Sequence, residues 1–127
     1  MSGNFSFLQE QWPDLYQPAK EAETLSNSAP RSSAFTCRYT MEQAVNWAYA
    51  ADSGLERPYR DNLAALIHEQ SFKELLPPGL FPSLLYILKS GNIAAHGDPR
   101  RKPISRPMAL TAVKHLHSFL QWFAISY

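Results

Sequence analysis

The sequence predicts an all-α fold, a bundle of about five helices, and three observations carry that expectation. Apolar side chains recur at three- and four-residue spacing along nearly the whole chain, the period of a helix with one buried face. No segment sustains the period-2 alternation of a half-buried strand. The connections are short and marked by proline and glycine, as in a bundle of antiparallel neighbours. With 127 residues, 45% of them hydrophobic, the chain reads as one domain, 1–127, able to bury a core.

The elements follow in order. Phe5, Leu8, Trp12, Leu15, Ala19, Ala22 and Leu25 mark one stripe of a long first helix. Pro13 and Pro18 inside that stripe predict a break or kink around residues 12–18. "SNSAPRSS" (26–33) has the composition of a turn-forming linker. In "SAFTCRYTMEQAVNWAYAADSG", Phe35, Tyr39, Glu42, Val45 and Tyr49 fall near one face, with Gly54 as the stop. Arg38 and Glu42 stand four apart on that helix, the spacing of a surface ion pair. After the loop "ERPYR", Asp61 or a residue just before it is placed to cap a third helix, "DNLAALIHEQSF".

"LLPPGLFP" (75–82) is a proline-rich turn. The helix "SLLYILKSGNIAAHG" then packs Leu84, Leu85, Ile87, Leu88 and Ile93 and ends at Gly97. "DPRRKPISRP" holds too many prolines to be helical. Pro107 sits in the first turn of the last helix, behind Ser105 or Arg106. The buried stripe of that helix is Leu110, Val113, Leu116, Leu120 and Phe123.

Composition removes several classes of function. No apolar run approaches the ~20 residues that span a bilayer, and "MSGNFSFLQEQWPDL" lacks the basic and apolar regions of a signal peptide. A single cysteine, Cys37, rules out an internal disulfide, reads as a small buried hydrophobe and suits the cytoplasm. Net charge is only +1, so no global pull toward a polyanion exists. The distribution is uneven, however. Residues 86–127 carry Lys89, Arg100, Arg101, Lys102, Arg106 and Lys114 against Asp98, so a polyanion meets the C-terminal third first. Phosphate-binding glycine loops, paired CxxC motifs, HExxH and GxSxG are all absent from the sequence. His115 and His117, two apart on one helix, face different directions, so no metal site is expected. The aromatic-rich first and last helices admit two readings: docking a partner, or packing on each other.

The stretch "GNIAAHG" (91–97) resembles part of a motif of the HEPN superfamily, small helical bundles that often dimerise and in many cases cut RNA without metal. That motif reads Arg, then Asn or another polar residue, three further residues, and His. Asn92 and His96 match its last part and share one helix face. Gly91 occupies the place of the Arg, and Lys89 lies about 200° around the helix from it. Four collinear blocks, "NFSFLQEQWPDLYQPAKEAE", "FTCRYTMEQAVNWAY", "YRDNLAALIHEQSFKELLP" and "LKSGNIAAHG…ALTAVKHLHSFLQWFAISY", resemble more closely the HEPN-like domain at the N-terminus of type I restriction enzyme R subunits. That family joins the domain to a DEAH-type helicase motor and a nuclease region. Neither signature occurs in this chain. The resemblance therefore implies the N-terminal domain of a longer R-like subunit or a free-standing relative, and the finish of the last helix at "FAISY" favours the former.

The expected function is that of a non-catalytic, HEPN-like adaptor contacting DNA or another domain or subunit of a cytoplasmic restriction complex. Gly91, Asn92 and His96 form a structural motif, with the His96 ring bonding a neighbouring helix or the backbone. Arg100, Arg101, Lys102 and Arg106 form the polyanion-facing surface. No cofactor is expected in this domain; ATP and Mg belong to the parent motor and nuclease regions implied by the resemblance. Two alternatives stand beside this: a metal-independent endoribonuclease using His96 and Asn92, and a homodimeric protein-interaction module without a membrane or nucleic-acid role.

Overall fold

The computed structural model describes residues 4–97 and 102–127. Among them every regular element is a helix. A 3₁₀ turn, Ser6–Leu8, precedes α1 (Pro13–Ser28), α2 (Pro30–Ala51), α3 (Leu63–His68), α4 (Gln70–Lys73), α5 (Leu80–His96) and α6 (Arg106–Ser126). The predicted all-α bundle is present, and the third helix is split in two.

The four long helices build the bundle. α1 packs on α2 and α6, α5 packs on the same two, and α2 and α6 touch each other. This makes α2 and α6 the spine. Phe5, Leu8, Met41, Leu66, Leu84, Ile87, Leu116, Phe119 and Phe123 are buried within it, and burial of each such side chain contributes on the order of 1.5–3 kcal/mol. α3 and α4 close one end. Their anchors are Phe72, which is fully buried, and the Tyr49 hydroxyl, which donates to the Leu66 carbonyl at 2.6 Å.

The proline expectations resolve locally. The break falls at Trp12, in non-helical backbone with φ −132° and ψ 54°, and Pro13 opens α1, where a missing N–H costs nothing. Pro18 lies inside α1, removing one backbone bond without ending the helix. The linker over 26–33 is not there. α1 runs through Ser28 and α2 starts at Pro30, leaving Ala29 (φ −145°, ψ 72°) as the entire corner. Pro30 both forces Ala29 out of helical backbone and starts α2 at its first position. The buried Ser33 hydroxyl fastens the corner by donating to the Ala22 carbonyl at 2.7 Å.

α2 turns a different face inward from the one its large side chains suggest. Ala34, Cys37, Met41, Ala44, Val45 and Ala48 are buried, whereas Phe35 and Tyr39 are 46% and 47% exposed. The spine helix meets three neighbours, and small side chains let them all approach. Asp52, not Gly54, stands at its C-terminus, and the Asp52 carboxylate accepts from the Gly54 N–H at 2.9 Å.

Asn62, rather than Asp61, caps α3 by accepting from the Ala65 N–H at 2.9 Å. Glu69 then adopts extended backbone and caps α4 through the Ser71 N–H, which interrupts the helix expected over "DNLAALIHEQSF". α5 begins after Gly79, whose φ of +87° is the left-handed conformation glycine allows, and ends at Gly97 as expected, with φ +55°. Ser105 caps α6, and Pro107 lies in its first turn. Leu110, expected in the buried stripe, is 47% exposed.

The rings of the first and last helices pack on each other: Trp12 lies 4.8 Å from Phe123, and Trp47 and Tyr127 join them. The two histidines of α6 diverge as the spacing predicts. His117 reaches the Asn4 carbonyl at 2.9 Å between the rings of Phe5 and Phe7. His115 meets the Ser83 hydroxyl at 2.9 Å beside Tyr86. Burial holds the His115 imidazole below its ordinary value, so the unfolded chain protonates at His115 before the folded protein does. Its contribution to stability is therefore full above the ordinary histidine value of about 6.5 and is lost as pH falls below that and on through the lower folded value. Thermal melts between neutral and mildly acidic pH are expected to show a shallower loss of Tm in His115→Gln than in the wild type.

Candidate nucleic-acid interface

The site is built where α2 crosses the second half of α5. Gly91 is buried on α5, and a Cβ placed there would lie 2.4 Å from Arg38 Cβ and 2.7 Å from Arg38 Cδ. The stem of Arg38 thus runs across the bare backbone of Gly91. Glycine inside a helix costs about 1 kcal/mol relative to alanine, and the close approach accounts for its presence. Arg38 Nε is buried without a hydrogen-bond partner, an arrangement unlike the simple surface pair with Glu42 that the spacing suggested.

Seven residues earlier on α2, Arg31 Nε donates to the Ala94 carbonyl at 2.7 Å. This places a cation at the carbonyl end of α5, where the helix dipole favours it. Because Arg31 meets Ala94 and the later Arg38 meets the earlier Gly91, α2 and α5 run antiparallel. An open groove of about 670 Å³ lies beside Arg31, bordered by Glu21, Phe35 and Ala95.

Asn92 is half-buried and His96 exposed, four residues apart on α5. Among the described residues no hydrogen bond ties the His96 ring to a neighbouring helix. Lys102 and Arg106 are exposed on either side of Ile104, which is buried against Ala34, Ala94 and Ala109. That small apolar cluster pins the basic segment to the end of the bundle that also carries Arg31 and His96. Arg100 and Arg101, the other two cations expected on this surface, lie outside the described residues.

Asn92 does not titrate, and Gly91 carries no side chain to neutralise a developing phosphorane. Cys37 is buried, which pushes its thiol up to about 12 and keeps the nucleophilic thiolate scarce. Among the described residues no group of three His, Cys, Asp or Glu is placed to hold a metal ion, and none of the helices is long and apolar enough to cross a membrane.

Three residues of this end are not evident from the sequence pattern: Arg31, hidden in an apparent linker, and Phe35 and Tyr39, whose bulk suggests the core. The stripe Ala34, Cys37, Met41, Ala44, Ala48 is the signal that could have found them, since its own three- to four-residue spacing leaves both rings outside.

Fold and site together define a small all-α bundle with a cationic end. The chain belongs to the family described as a domain of unknown function, DUF4145, whose family model matches residues 20–125. No curated protein and no solved structure matches it.

Gly91→Ala tests the approach on which this end rests. Alanine gains about 1 kcal/mol of helix propensity, but its methyl would collide with Arg38 Cβ, an atom fixed to the α2 backbone. Overpacking of this kind costs about 1–3 kcal/mol. Urea unfolding is expected to show net destabilisation, with the wild-type dependence on denaturant preserved.

Proposed function

We propose that this chain is a non-catalytic, HEPN-like adaptor domain of a type I restriction R subunit. In this reading it works in the cytoplasm and holds DNA against the motor and nuclease parts of the complex, which lie outside the chain and supply the ATP- and Mg-dependent chemistry. The observation that carries the reading is the gathering of Arg31, Lys102 and Arg106 at one end of a nearly neutral molecule, pinned there by Ile104. The four collinear blocks of sequence resemblance support its assignment to a restriction complex. Gly91, in the place of the motif arginine, supports the absence of catalysis.

Binding of this kind is electrostatic and releases counterions from the DNA. Fluorescence anisotropy with a short labelled DNA is expected to show affinity that falls steeply with salt. Removing one cation that meets a phosphate flattens the log–log slope by about 0.9, so Lys102→Gln with Arg106→Gln should flatten it by about 2. Failure to bind DNA at low salt would remove the reading.

One observation favours a second reading, the metal-independent ribonuclease. Arg38 brings a cationic side chain from α2 across Gly91, next to Asn92 and on the helix that carries His96. A denaturing gel of labelled single-stranded RNA in EDTA separates the two. The adaptor reading expects intact RNA with the wild type, whereas cleavage abolished by His96→Ala would establish the ribonuclease.

A further inference from the structure

The face that α2 and α5 turn to solvent combines rings with cations. Side chains rotate about 100° per residue around a helix. Taking Arg38 as the point where α2 faces α5, Phe35 and Tyr39 lie about 60–100° to one side of it. On α5, Asn92 and His96 lie about 100–140° to one side of Gly91. In an antiparallel pair these two flanks turn the same way, so the four side chains border one surface. Exposure agrees: Phe35 and Tyr39 leave nearly half their area in solvent, and His96 and Lys89 are exposed.

On this face the charges are Arg31, Arg38 and Lys89 against Glu42 and against Glu21 of α1, which borders Phe35, with His96 available as a further donor. Two half-exposed rings four residues apart beside cations form a stacking platform with phosphate-binding groups along its edge. Bases stack on such rings whatever their identity, while the cations follow the backbone. A duplex keeps its bases stacked on one another and cannot use the rings.

We infer that this α2–α5 face binds single-stranded DNA, with bases stacked on Phe35 and Tyr39 and phosphates met by Arg38, Lys89 and His96. The inference rests on the DNA-binding adaptor reading and adds to it the form of DNA and the rings that select it. The choice of DNA over RNA comes from that reading. The face itself offers stacking and charge.

The test is anisotropy with labelled oligothymidylate, a duplex of the same length and oligouridylate, using the full chain. Phe35→Ala, Tyr39→Ala and Lys89→Gln are compared with Leu110→Ala, an exposed apolar residue on α6 away from this face. Matched thermal melts identify any variant that fails to fold, and the half-exposed positions of both rings make that outcome unexpected. Tighter binding of oligothymidylate than of duplex, weakened about tenfold or more by either ring substitution and unchanged by Leu110→Ala, is the expected result. Equal binding of duplex and single strand, with the ring variants neutral, would overturn the inference and leave the adaptor reading standing. Preference for oligouridylate would overturn the assignment to DNA. Binding of none of the three would overturn both readings.

Discussion

The approach of α2 to α5 at Gly91 is the constraint on which the rest of this end of the molecule depends. A side chain at 91 would meet Arg38 Cβ at 2.4 Å, so any larger residue must push the two helices apart. Their closeness lets Arg31 reach the Ala94 carbonyl and lets Ala34 and Ala94 share a cluster with Ile104 and Ala109. Ile104 in turn fixes where the basic segment meets the bundle. One missing Cβ thus sets the positions of cations from three separate stretches of chain.

The same close approach explains why two large aromatic side chains remain outside. α2 is the spine, packed against α1, α5 and α6, and its inward positions must be narrow to admit all three. Alanine, cysteine and methionine fill them. Phe35 and Tyr39 would be core residues on a peripheral helix with one neighbour; on the spine they border the surface. Leu110 of α6, the other spine helix, is displaced in the same way by Ala109 and Ala112.

Legibility in the sequence follows how local the determining physics is. Gly97 and the Ser105–Pro107 pair end and begin helices where expected because a left-handed glycine and a capping hydroxyl act within one turn. The α6 stripe of Val113, Leu116, Leu120 and Phe123 is readable because its period and its bulk agree. In α2 they disagree, and bulk is the wrong guide. The corner at Ala29 is hidden by composition: serine, asparagine and proline are turn formers, but here Pro30 starts a helix and Ser33 reaches back to Ala22. Glu69 breaks the third helix by capping α4 through Ser71, a role that glutamate rarely signals. In the candidate site, the spacing of Asn92 and His96 correctly puts them on one helix face, whereas the crossing of Arg38 over Gly91 joins residues far apart in sequence and has no local mark.

Amide chemical-shift mapping by NMR tests the central claim most directly, because it reports the binding surface residue by residue. With oligothymidylate added to the labelled protein at low salt, the largest shifts are expected along residues 31–39 and 89–97, where α2 and α5 meet. Saturable shifts confined to α1, α3 and α4, or spectra unchanged at saturating oligonucleotide, would contradict it.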